Sequence, residues 1–192
     1  MDKIDSLDKI NAFVSDIRSL RKGYLTNFFL DRKKHSLWIE KGELFYVSFP
    51  DCYFLLHLTN SVNNLFFITT TSQQLAENLK AFLPIFAEQM VVDIVGDAKI
   101  VDLKDVFVEQ GFSVYEQLYR MNRIGTLEFK EIDTPNVCFA EDVDAQVVLD
   151  MLHSYFDPLS EQLPSYEEIL YFISRKSVLV YKEAGKVYGF VI

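Results

Sequence analysis

Glycine is scarce in this chain. Its 192 residues hold seven glycines (Gly23, Gly42, Gly96, Gly111, Gly125, Gly185 and Gly189), no two closer than four residues. That spacing excludes both the G-x-G-x-x-G dinucleotide loop and the Walker phosphate loop. The familiar nucleotide-dependent oxidoreductases and P-loop kinases go with them. Cysteine is scarcer still. Cys52 and Cys138 are too few for a zinc site of their own or a disulfide framework, and each lies in an apolar stretch that predicts a reduced, buried thiol. Basic charge is in deficit, 19 Lys and Arg against 28 Asp and Glu, for a net charge of -9. A nucleic-acid partner is not expected, because phosphate binding needs a basic face. No run approaches the roughly twenty apolar residues that span a bilayer, so no membrane partner is expected. Met1 to Asp5 has no basic stretch leading into an apolar one, so a signal peptide is not expected and the chain reads as cytoplasmic.

Apolar and aromatic residues are plentiful. The chain is 49% hydrophobic and only 24% charged, with 17 Phe and 10 Tyr, enough for a sizeable core. Leu7, Ile10, Val14, Ile17 and Leu20 recur at helical spacing, with Ser6 as the cap and Gly23 as the stop. The pattern predicts a second helical run over Leu25 to Lys33. It then predicts a hairpin of Leu37–Glu40 and Leu44–Phe49 turning at Lys41-Gly42. Strands follow at Cys52–Leu58 and Asn64–Thr69, and Ser72 caps a helix carrying Leu75, Leu79, Phe82 and Phe86. Met90–Val95 reads as a strand, Asp102–Glu109 as a short helix, and Phe112–Ile124 as a long strand. Past Gly125–Pro135, a linker by composition, come a strand at Asn136–Ala140 and a helix through Phe156. Ser165 and Glu168 form a capping box for the next helix, which runs to about Lys176. A hairpin of Val178–Glu183 and Lys186–Ile192 closes the pattern. Alternating helices and strands give an α/β class with a mixed β-sheet flanked by helices.

Two stretches run in parallel. Tyr24–Lys33 matches Tyr166–Lys176, and Ser36–Val47 matches Ser177–Val191, each after a long amphipathic helix. The expected organisation is a duplicated unit, residues 1–124, a linker at 125–135, and a second copy over 136–192. The second copy stops at Ile192, inside its last strand, so the repeat predicts roughly eighty further residues. An exposed Val187–Ile192 edge would invite a second chain, making a homodimer one expectation.

The residues now reach a family. Phe139-Ala-Glu-Asp-Val-Asp-Ala, Tyr155-Phe156-Asp157, Leu163-Pro164-Ser165 and Leu179-Val-Tyr-Lys-Glu-Ala-Gly-Lys-Val-Tyr-Gly-Phe-Val resemble the opening half of a GNAT-superfamily N-acetyltransferase. Val106–Tyr115 and Leu118-Tyr119-Arg120-Met121 resemble its later half. The resemblance implies an acyl-CoA N-acyltransferase fold, acetyl-CoA as co-substrate and an amine acceptor, small molecule or peptide. It also implies a pyrophosphate loop of Gln or Arg, two residues, Gly, one residue, then Gly or Ala, opening a helix. The nearest stretch is Gln73-Gln74-Leu75-Ala76-Glu77-Asn78, where Ala76 and Asn78 replace the glycines and Glu77 adds repulsion. No cofactor-binding or catalytic residue can therefore be assigned. The chain is expected to be an acetyltransferase inactive in this form, or a non-catalytic relative that binds a ligand or partner.

The remaining candidates each have a plainer reading. His153 would need a partner to act as a base, and His57 lies in an apolar strand as a core histidine would. Glu141, Asp142 and Asp144 suit a helix start, and Arg32, Lys33, Lys34, Arg175 and Lys176 suit helix C-termini. Tyr155, Phe156 and Tyr166 flank the proline-containing loop and line either an acceptor pocket or the core. No metal-ligand spacing is present, so no metal is expected.

Overall fold

The computed structural model describes residues 1–59, 62–86, 88–95, 101–117 and 134–192. The chain is mixed α and β, in two compact units, Met1–Val114 and Tyr115–Ile192. The linker reading of 125–135 and most of the strand read at 112–124 lie outside the described residues. Phe112–Gln117, which are described, are not a strand.

In the first unit, β1 (Asp2–Lys3), β2 (Leu25–Thr26), β3 (Leu44–Phe49), β4 (Cys52–His57) and β5 (Asn64–Thr69) form one sheet in the order β1-β3-β4-β5-β2. Every pairing between these strands is antiparallel. The sheet is therefore antiparallel rather than mixed, and among the described residues its parallel pairing is an isolated bridge from Asn64 to Val91. The strand expected at Met90–Val95 reduces to that bridge, tied by Leu65 N–H to Val91 O at 2.9 Å and Val91 N–H to Asn63 O at 2.8 Å.

The alternating side chains of these strands feed two cores. On one face Leu44, Leu55, Phe66 and Ile68 pack with Ile10, Phe13 and Ile17 of α1 (Leu7–Ser19) and Trp38 of α2 (Arg32–Lys41). On the other, Cys52, Phe54, Leu56, Leu65 and Phe67 pack with Leu75, Leu79 and Phe82 of α3 (Ser72–Phe82). Leu103 and Phe107 of α4 (Val101–Glu109) complete that second layer. Strands buried on both faces read as continuous apolar runs, as Cys52–His57 and Asn64–Thr69 do.

Two sequence expectations fail around α2. The stretch 36–42 is not the first arm of a hairpin. Asp31 accepts the N–H groups of Lys33 and Lys34 at 2.9 Å each and starts a helix there. Gly42 ends it in the left-handed region at φ 70°, its N–H bonded to Ile39 O, with Glu43 N–H on Trp38 O. A glycine after a lysine serves a helix C-terminus as readily as a turn. The true hairpin is β3–β4, closed by Pro50-Asp51 with Asp51 at φ 55°. Nor is 25–31 helical, the helix beginning only at Arg32: Thr26 and Asn27 spend their side chains on β5. Thr26 Oγ1 donates to Phe67 O at 2.5 Å. Asn27 Nδ2 donates to Leu65 O and Asp93 O at 3.2 and 3.0 Å, and its Oδ1 accepts Phe67 N–H at 2.8 Å.

The second unit holds β6 (Val137–Phe139), α5 (Ala145–Tyr155), α6 (Tyr166–Ser174), β7 (Leu179–Glu183) and β8 (Lys186–Val191). Its sheet runs β6-β7-β8, wholly antiparallel. Ser165 and Glu168 form the expected capping box, and Ala184 and Gly185, at φ 48° and 79°, turn the expected hairpin. Val148, Leu152, Ile169 and Ile173 pack onto Val180 and Val187, on one face of the sheet. Both units thus carry two helices between a first strand and a hairpin, with that strand antiparallel beside the hairpin's first arm, but in the first unit the short β2 comes between the helices. The residue pairing of the repeat does not share structure, however. Ser36–Lys41 is helical where Ser177–Lys182 leads into and forms β7.

Candidate functional site

A phosphate-binding junction would have to sit where β5 turns into α3. Thr69 lies in β5, its Oγ1 on Asp51 O at 3.0 Å, and Thr70 is buried. Thr71, not Ser72, is the N-cap: its hydroxyl accepts the Gln74 N–H at 3.1 Å. Gln73 through Asn78 therefore all lie inside α3. Gln73 reaches along the helix to Glu77 at 3.0 Å, and Asn78 is buried with its amide on Pro50 O at 2.9 Å. The approach is also occupied by the chain. Leu25 pairs with Thr69, and Gly23, at φ 124°, passes so close that a Cβ there would lie 2.5 Å from Thr70 O. Gly23 is where this chain needs a missing side chain, and the close approach is to its own backbone rather than to an anion.

These residues do not fit the pyrophosphate of acetyl-CoA. The glycines that would open a loop are replaced by residues of a regular helix, an internal hydroxyl takes one of its free N–H groups, and Glu77 sets a carboxylate one turn in. The junction anchors α3 to the sheet.

A group of titratable and aromatic side chains gathers where α2 meets β4. The His57 ring stacks on Trp38 at 3.7 Å and 8°, with Nε2 3.2 Å from a Glu43 carboxylate oxygen. His35, one helical turn before Trp38, meets it edge-on at 4.7 Å and packs on Phe28. Its Nδ1 accepts the Asp31 N–H at 2.9 Å, so the ring's proton sits on Nε2. Burial, helped by the neighbouring Lys34 charge, lowers the His35 pKa from 6.5 to about 4. Sequence reasoning passed over His35 because it read the segment as a loop before a strand. The signal was Asp31 four residues ahead of His35, with Trp38 three after it. The group is a packed joint in which His35 and His57 have hydrogen-bond partners while the buried Trp38 Nε1 has none among the described residues.

The other candidates disperse. His153 is exposed on α5. Glu141 and Asp144 close a capping box around the turn Asp142–Asp144, and Asp144 also pairs with Lys182 at 2.7 Å. Arg32, Lys33 and Lys34 stand in the first turn of α2, not at a C-terminus, whereas Arg175 and Lys176 do follow the end of α6. Tyr155, Phe156 and Tyr166 are all exposed, so they do not belong to the core. Cys52 is fully buried, its thiol pushed up to about 12 by desolvation, while Cys138 is exposed, contrary to expectation. Among the described residues no group of His, Cys, Asp and Glu could hold a metal ion, and no helix is long and apolar enough to cross a membrane. Searches against family models, curated proteins and solved structures match nothing to this chain.

Proposed function

We propose that the chain is a GNAT-like protein that binds a ligand or a partner without transferring acetyl groups. In both units a first strand lies antiparallel beside the first arm of a hairpin, with two helices between them in sequence, which supports the resemblance and a duplicated unit, although in the first unit the short β2 separates the two helices. That resemblance implies acetyl transfer from acetyl-CoA to an amine. The observation that favours the non-catalytic reading is the β5–α3 junction. There the stretch nearest to the family's phosphate loop is the body of a helix, capped by Thr71 and overlain by Gly23.

Isothermal titration of the 192-residue chain with acetyl-CoA tests the reading. The expected result is no saturable binding up to about 1 mM, a free energy weaker than about 4 kcal/mol. Micromolar binding, with coenzyme A released in the presence of an amine, overturns it and restores the transferase reading.

A further inference from the structure

The helices of the first unit are not held alike. Helix α1 buries Ile10, Phe13 and Ile17, and α3 buries Leu75, Leu79 and Phe82. Helix α2 buries His35 and Trp38, with Ile39 half-buried beside them. Trp38 in turn lies flat on a second histidine, His57, at 3.7 Å. Its buried Nε1 has no hydrogen-bond partner among the described residues, a cost of about 1–3 kcal/mol that water relieves if the helix comes away. The attachment of α2 thus depends on two imidazoles.

His35 fits its place as a neutral ring. It packs against Phe28 at 4.4 Å and meets the Trp38 ring edge-on at 4.7 Å, out of reach of water. Its Nδ1 accepts the Asp31 N–H at 2.9 Å, which only an unprotonated nitrogen does. A proton there sets donor against donor and places a charge among aromatic rings. The charged groups around it divide. Lys34 on α2 and His57 on β4 oppose a further cation, while Asp31 favours one through its charge and its backbone without offsetting burial. Glu43 lies one ring further away, 3.2 Å from His57 Nε2.

We infer that His35 is an acid-operated catch: its protonation releases α2 from the sheet while the rest of the first unit stays folded. The remainder has its own supports. Ile10, Phe13 and Ile17 of α1 stay in one core with Leu55 and Ile68, and on the far face α3 and α4 hold Phe54, Leu56 and Phe67. The released segment has fixed ends. Asn27 stays bonded to β5 before it, and Gly42, at φ 70°, turns the chain toward β3 after it. Arg32, Lys33 and Lys34 stand against the helix dipole in the first turn, so ten residues freed of their packing have little stability as a helix. Release exposes Trp38 and uncovers Phe66, which packs with Phe28 and Trp38 in the closed joint. A ring that takes its proton at about pH 4 in place and at 6.5 in water raises the open-to-closed ratio across that interval. The rise is up to about 300-fold as pH falls.

The test uses the full chain, whose one tryptophan is Trp38, so indole emission reads this joint. On acidification from about pH 7 to about 3.5, emission should shift to the red and acrylamide quenching should rise. Hydrogen exchange followed in the same samples should leave the Phe67 amide protected, because the sheet and its far layer stay closed. His35→Gln keeps a side-chain acceptor for the Asp31 N–H and cannot charge, so it should hold Trp38 buried over the whole range. Should that variant fail to fold, ring-nitrogen NMR of the natural chain decides instead. The His35 ring should then go from neutral to charged in step with the change in Trp38 emission. Four results would each overturn the inference: Trp38 emission constant to about pH 3.5, exposure of Trp38 together with loss of protection at Phe67, an unaltered transition in His35→Gln, or a His35 ring still neutral after Trp38 is exposed.

Discussion

At the scale of single residues, buried polar side chains fix the backbone where regular pairing runs out. Asn27 is the strongest case. Between the Val91 bridge at one end of β5 and β2 at the other, its amide satisfies Leu65 O, Phe67 N–H and Asp93 O. Asn27→Ala would strand three main-chain groups, each costing about 1–3 kcal/mol when unpaired, in part relieved by water. We expect a loss of about 3 kcal/mol in urea unfolding and faster hydrogen exchange at the Phe67 amide; unchanged exchange there would sink the assignment. His35 sets a pH dependence. Its folded pKa of about 4 lies below the ordinary 6.5, so between these values the unfolded chain binds more protons. Stability is therefore full above about pH 6.5 and falls as pH drops toward 4, by up to about 3 kcal/mol. Asp31, Lys34 and His57 share its surroundings and carboxylates titrate nearby, so the measurement is a difference. The urea midpoint of His35→Gln should fall less steeply over that window than that of the natural chain. Parallel profiles would remove His35 as the cause.

At the scale of elements, what the sequence could reveal depended on whether an apolar pattern had one reading. Helix α1, strands β4 and β5, the Ser165–Glu168 capping box and the β7–β8 hairpin have one, and they form where expected; helix α3 forms too, but Thr71 rather than Ser72 caps it and it ends at Phe82, short of Phe86. Helix α2 has two readings. Leu37-Trp38-Ile39 followed by Lys41-Gly42 suits a strand and turn, and only the Asp31 cap and the inward spacing of His35 and Trp38 decide for helix. The phosphate-loop comparison did not hang on the cap: with Thr71 or Ser72 in that place, Gln73–Asn78 lie inside α3. No local pattern announces that Gly23 lies on Thr70, because that approach joins residues far apart in sequence. The first turn of α2 also carries Arg32, Lys33 and Lys34 and no acid, against the helix dipole. Removing the cap with Asp31→Ala should cost about 1–2 kcal/mol. Lys33→Glu should instead stabilise the chain by about 0.3–1 kcal/mol. Thermal melts of the two variants should move in opposite directions, and a destabilised Lys33→Glu would contradict the dipole argument.

At the scale of the whole molecule, the decisive contrast is between a sheet packed on both faces and one packed on a single face. The first unit joins two cores through one sheet, so Phe67, fully buried, is held by strand neighbours and by Phe107 across the layer. Among the described residues the second unit has one core, in which Val180 is 1% exposed beneath α5 and α6, while Phe139 and Val191 on the far face of its sheet are exposed. Less apolar area buried per residue means less stability to set against chain entropy. Because Phe67 and Val180 belong to separate cores in separate compact units, their effects should not mix. Calorimetry should therefore show two transitions, the lower from Tyr115–Ile192 and the upper from Met1–Val114. Val180→Ala removes two methyl groups and should lower only the first, by about 1–3 kcal/mol. Phe67→Ala leaves a ring-sized cavity and should lower only the second, by about 3–5 kcal/mol. A single transition shifted by both substitutions would mean that the two cores melt as one. In that case the uncovered face of the second sheet would contribute to a shared unit rather than mark the weaker of two.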